Sequence, residues 1–160
     1  MRAVLLLCLL PAAVWADGLP LFASDEPLEI TIEFPLRDVM RKASSRPVVD
    51  GMAHYTDSSG ATVSLPVQMS TRGRSRLAVC RFPPLALSVK KKAAAGTVFE
   101  GQKSLKIVTH CREHLLYRNY LLQEYGIYEA FNVLAETSFR ARLINVTYRD
   151  SEKEDFEITE

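Results

Sequence analysis

From Ser58 to Phe99 the chain contains no aspartate or glutamate, although the 160 residues hold 20 Lys and Arg against 19 Asp and Glu. The acids are displaced to one end, where Asp150, Glu152, Glu154, Asp155, Glu157 and Glu160 crowd the last eleven positions. Such segregation either brings opposite charges together within the fold or exposes a basic face to an acidic partner. Past residue 16 no run approaches the roughly 20 apolar residues that a membrane helix needs, so no membrane span is expected. Repeats and low-complexity linkers are also lacking, which excludes solenoids and strings of tethered modules.

What is present begins with MRAVLLLCLLPAAVWA, one arginine ahead of an apolar run from Ala3 to Leu10, with Val14 and Ala16 at the positions a signal peptidase reads. The pattern predicts a signal peptide over residues 1–16 and a secreted or periplasmic protein. A lipoprotein reading needs a small residue just before Cys8, where Leu6 and Leu7 stand. Cleavage removes Arg2 and no acid, leaving 19 cations against 19 anions and a net charge of zero. Bulk attraction to nucleic acid is therefore not expected. Residues 17–160 suffice for a single domain with one core.

Only Cys80 and Cys111 remain after the leader. In an oxidising compartment a disulfide is the simplest reading, and two buried free thiols are the alternative. The bridge would close a loop of about thirty residues, for which chain entropy gives on the order of 3 to 4 kcal/mol. His110 and His114 flank Cys111, but the spacing fits no compact zinc pattern and no metal is expected.

LEITIEF, Leu28 to Phe34, alternates apolar and polar residues, the period of a half-buried strand. PLRDVMRKAS follows as a short amphipathic helix opened by Pro35 and ended by Pro47. VVDGMAHYT and ATVSLPVQMST flank Asp57-Ser58-Ser59-Gly60 as a hairpin. LALSVKK and SLKIVTH read as two more strands joined by a flexible AAAG. From Arg112 to Glu136 apolar residues recur at three- and four-residue steps, predicting a long helix with one apolar face and a glycine, Gly126, inside it. Its tyrosines, Tyr117, Tyr120, Tyr125 and Tyr128, suit a sheet–helix boundary that gives their hydroxyls a polar outlet. FRARLINVTY alternates again from Phe139, and DFEITE looks like a strand beginning. The expectation is an α+β fold, an antiparallel sheet packed against one long helix.

The acid-free region centres on STRGRSRLAVCRFPPLALSVKKK, Ser70 to Lys92, with seven cations. Arg72, Gly73 and Ser75 suit a backbone and guanidinium nest for phosphate, or equally a solvated hairpin turn. Read as an extended chain, Arg72, Arg74 and Arg76 point to one side, a row able to grip a phosphate or the carboxylates of Glu152, Glu154 and Asp155. Internal pairing with those acids is the expectation. Lys90 to Lys92 are read as protection for a sheet edge. The sequon Asn145-Val146-Thr147 matters only in a host that glycosylates exported proteins. None of Ser70, Ser75 and Ser138, with His54, His110 and His114 as bases, sits in a strand-elbow pattern for nucleophilic catalysis.

RGRSR, then an apolar strand, LKIVTH, YRNYLLQEYGIYEAF and SFRARLINVTY together resemble the N-terminal half of the CotH-type spore-coat kinase family, over residues 61 to 150. Arg72, Gly73 and Ser75 match its Arg-Gly-x-Ser turn, and Arg118 and Asn119 match its Leu-Arg-Asn motif. The resemblance implies a kinase N-lobe-like arrangement in a secreted or coat-associated protein. It also implies a role for Glu124 or Glu129 as partner to a sheet cation, the alternative being plain solvation. The chain departs from the family where paired lysines belong. Cys80-Arg81-Phe82-Pro83-Pro84 stands there, and Lys90 to Lys92 come about nine residues late. Arg81 has a donor fork for phosphate but does not replace a lysine freely. The family's magnesium-binding carboxylates follow the point corresponding to Glu160.

The leading expectation is thus an exported binding or structural domain without a complete catalytic centre, acting on a protein or anionic ligand through Arg72, Gly73, Ser75, Arg81, Arg118 and Asn119. The alternatives are an envelope protein kinase using ATP and magnesium, and a polyanion binder working through the basic face.

Overall fold

Leu28, Ile30, Ile32 and Phe34 are all buried while Glu29 is exposed, so the alternation of β1 (Leu28–Phe34) does what its period predicts. The structure is a computed structural model and describes residues 19–112 and 114–160. The predicted signal peptide lies outside the described residues.

α1 (Leu36–Arg41) follows at once, Pro35 preceding its first turn, and buries Leu36 and Val39. β2 (Val49–Thr56) and β3 (Thr62–Thr71) form the expected antiparallel hairpin, from Val49 opposite Met69 to Thr56 opposite Thr62. Its turn is organised by Asp57, whose carboxylate accepts the amides of Ser59 and Ala61. The Ser59 hydroxyl and these amides hold that carboxyl below the usual carboxylate range.

After β3 come α2 (Ser75–Val79), β4 (Leu85–Val89), α3 (Lys91–Ala94), β5 (Ser104–Ile107), α4 (Leu115–Leu134), β6 (Ile144–Asp150) and β7 (Glu157–Thr159). The seven strands make one sheet in the order β5-β4-β3-β2-β1-β6-β7. One face is apolar. Leu65, Val67, Met69, Leu85, Leu87, Val146 and Tyr148 join β1 there. Leu21, from the segment before β1, and Phe82, Ala94 and Phe99, from the segments between strands, complete the core with α1.

The mixed α/β content fits the α+β class, but three details of the expected architecture are corrected. The sheet is not antiparallel throughout: β1 and β6 run parallel, Leu28 opposite Ile144 through Phe34 opposite Asp150. A parallel neighbour needs a long crossover, and here the connection contains β2 through α4. The long helix does not cover the sheet either. α4 buries none of its residues, and the apolar face of the sheet is closed by the short elements named above. Finally, β6 starts at Ile144 instead of Phe139, and β4 stops at Val89. Lys91 and Lys92 therefore lie on α3, and the strand at that edge of the sheet is β5.

The sheet curls enough to bring its two ends together. His110, just beyond β5, lies 3.4 Å from the carboxylate of Glu160, just beyond β7.

Candidate functional site: a disulfide-tied basic corner and a bare helix

Thr71 ends β3 with its hydroxyl donating to the carbonyl of Ala43 at 2.7 Å, and the next amide, Arg72, donates to Pro84 at 2.9 Å. Gly73 then takes φ +91°, a left-handed conformation that a glycine adopts without the steric cost other residues bear. The Arg46 guanidinium donates to its carbonyl. The chain reverses into α2, so Arg72, Arg74 and Arg76 do not share an extended strand and their expected one-sided row is not formed. Arg76 is folded inward, donating to the carbonyl of Thr109 at 2.9 Å.

The segment 71–84 is fastened to 107–112 by several independent contacts. Cys80 and Cys111 form the disulfide expected from the sequence. The Arg81 amide donates to Cys111 at 2.9 Å, and the Thr109 hydroxyl donates to Phe82 at 3.2 Å. Arg112 donates to Val79 at 3.4 Å. Phe82 is in turn buried against Tyr148 of β6, ring centroids 5.0 Å apart. Such a bonded pair is compatible with an oxidising compartment.

This tie brings the basic turn to the root of α4. Arg72 is half-buried, while Gly73, Ser75 and Arg81 are exposed at the corner. Arg118 and Asn119 are exposed on the first turns of α4. Among the described residues no hydrogen bond or ion pair joins these two to Arg72 or Ser75. Nor does any ion pair link Arg72, Arg74 or Arg76 to Glu152, Glu154 or Asp155, so the expected internal pairing is corrected. The β6–β7 turn carrying those acids is held against β1 and α1 instead. The Ser151 amide donates to Phe34, the buried Asp150 carboxylate accepts the amides of Arg37 and Glu152, and Arg37 lies 5.4 Å from the Phe156 ring.

α4 starts with His114, whose Nδ1 accepts the Leu116 amide at 3.2 Å. At about 100° per residue, Tyr117, Leu121, Tyr125, Tyr128 and Asn132 fall on one side, and these are half-buried. Leu115 and Val133, turned away from these, are 67% and 86% exposed, and Ile127 and Phe131, on the flank between, are 62% and 58% exposed. Leu116, Tyr120, Leu122 and Leu134 are exposed with them. This half of the helix surface carries no charged residue. Glu124 and Glu129 lie outside it and form no ion pair among the described residues. Of the apolar residues that the sequence places on one face, Leu121, Tyr125 and Tyr128 are half-buried, while Leu115, Leu116, Tyr120, Ile127, Phe131 and Leu134 are exposed, which periodicity did not show.

Two further features escaped the sequence reading. Glu160 is mostly buried, which pushes its carboxyl up to about 7. Nearby, the buried Tyr148 hydroxyl has no hydrogen-bond partner among the described residues, and desolvation, with the Glu160 charge, raises its pKa well above the usual value. His110, Glu160 and Tyr148 thus form a polar group where the curled sheet closes, joined by pieces far apart in sequence. On the polar face, Glu29, Thr31, His54, Asn145 and Thr147 line a shallow open hollow of about 270 Å³. There His54 Nδ1 lies 2.9 Å from Ser64 Oγ, and Asn145 of the sequon donates to Glu29.

No known family, characterised protein or solved structure matches the chain. No helix among the described residues is long and apolar enough to cross a membrane.

Proposed function

We propose that this is an exported binding domain without a complete catalytic centre, working through the disulfide-tied corner and the bare face of α4. The observation that carries the reading is the exposed apolar half of α4. Eight large apolar side chains of α4 stand exposed, interspersed with Asn119 and Gln123, and exposed apolar surface of that extent commonly marks a binding site. The leader-like residues 1–16 and the Cys80–Cys111 bridge support export. The resemblance to the N-terminal half of the CotH-type kinases supports the same assignment, since the carboxylates needed for magnesium belong to the other half of that family's domain. Isothermal calorimetry of the mature protein with ATP and magnesium tests the reading. It predicts no binding heat; a saturable isotherm overturns it in favour of the kinase.

A further inference from the structure

Leu115, Leu122, Gly126 and Val133 are separated by seven, four and seven residues, the spacing of a coiled-coil seam. They lie within about 40° of one another on the helix wheel, on the side turned away from the half-buried tyrosines. Nothing approaches within 4 Å of where a Cβ on Gly126 would stand, so the seam has an open notch at its middle. Arg118 and Glu129 border it on the same edge, eleven residues or about three turns apart.

This pattern is self-complementary when reversed. We propose, resting on the reading of α4 as a binding face, that the occupant of this face is α4 of a second copy of the chain, packed antiparallel about a two-fold axis level with Glu124. In that register Leu115 lies opposite Val133 of the second copy, and Leu122 fills the notch over its Gly126. Arg118 comes beside Glu129 of the second copy, and the axis repeats the pair, as an isologous interface requires. The opposite edge of each helix, which carries Asn119, Gln123 and Ala130, meets its own equivalent and brings no like charges together. A parallel pairing sets the Arg118–Glu129 edge against the uncharged edge of Asn119, Gln123 and Ala130 and leaves both charges unpaired, so the placing of charge on the helix favours the antiparallel arrangement.

Sedimentation equilibrium of the mature protein tests this. The expected result is twice the monomer mass at tens of micromolar. Arg118→Glu and Glu129→Arg should each weaken association about tenfold, because symmetry doubles every exposed pair. The combined variant, Arg118→Glu with Glu129→Arg, should restore it. A wild-type protein that stays monomeric, or a combined variant as weak as the single ones, overturns the proposal. Leu122→Asp, on an exposed position, should give a folded monomer by circular dichroism; a dimer unchanged by it also overturns the proposal. The ATP titration is repeated on that monomer, so that heat there refutes the binding-domain reading, whereas loss of the dimer proposal alone leaves that reading standing.

Discussion

The Cα atoms of Cys80 and Cys111, 31 residues apart in sequence, lie 4.5 Å apart, and the bond between the two side chains joins the end of α2 to the approach to α4. The neighbouring bonds, Arg81 to Cys111 and Arg76 to Thr109, depend on that approach. Free-thiol titration of denatured, non-reduced protein comprising residues 17–160, which lacks Cys8, should therefore find none. Cys111→Ser should lower the thermal midpoint by about 10 °C, from a loop-entropy term on the order of 3 to 4 kcal/mol. Two titratable thiols, or an unchanged midpoint, contradict the bridge.

Glu160 sets a pH dependence of definite sign. Its carboxyl, ordinarily near 4.5, is raised to about 7 by burial, so the folded state holds a proton that the unfolded chain releases. Its contribution is fully present below about 4.5 and is lost as pH rises through 7. Denaturant titrations of wild type and Glu160→Gln at pH 4.5 and pH 7.5 should show the glutamine variant gaining relative stability at the higher pH. An equal gap at both values rules out the raised carboxyl.

Tyr148 supplies a test of the core. Its ring contacts Phe34 and Phe82, but its buried hydroxyl has no partner among the described residues. Removing an unpaired buried hydroxyl should cost nothing and can gain up to about 1 kcal/mol, whereas removing the ring should cost about 3 to 5 kcal/mol. Urea unfolding of Tyr148→Phe and Tyr148→Ala checks both. A phenylalanine variant markedly less stable than wild type means the hydroxyl is bonded after all.

The strands were legible where one face is buried, because alternation and burial then coincide; LEITIEF and the hairpin around Asp57 to Gly60 are the clear cases. The arginines after Thr71 were misread because alternate residues imitate a strand whether or not the chain is extended. At Gly73 a left-handed turn and the tether at Cys80 decide the path, and both are tertiary facts. Periodicity likewise reports that α4 has an apolar face but not what lies against it. The group of His110, Tyr148 and Glu160 had no local signal, since only the curl of the sheet assembles it.

The central claim is that the apolar side of α4 is a surface and not part of the core. The most direct measurement is thermal unfolding, in dilute solution, of Leu116→Ser, Ile127→Ser and Phe131→Ser combined, alongside the core variant Phe34→Ala. The account predicts that the triple variant keeps its circular dichroism and melts within about 6 °C of wild type, since exposed substitutions are each worth about 0.5 kcal/mol or less. Phe34→Ala, at a fully buried position, should lose about 3 to 5 kcal/mol. A triple variant that melts as early as Phe34→Ala contradicts the claim and makes α4 part of the core.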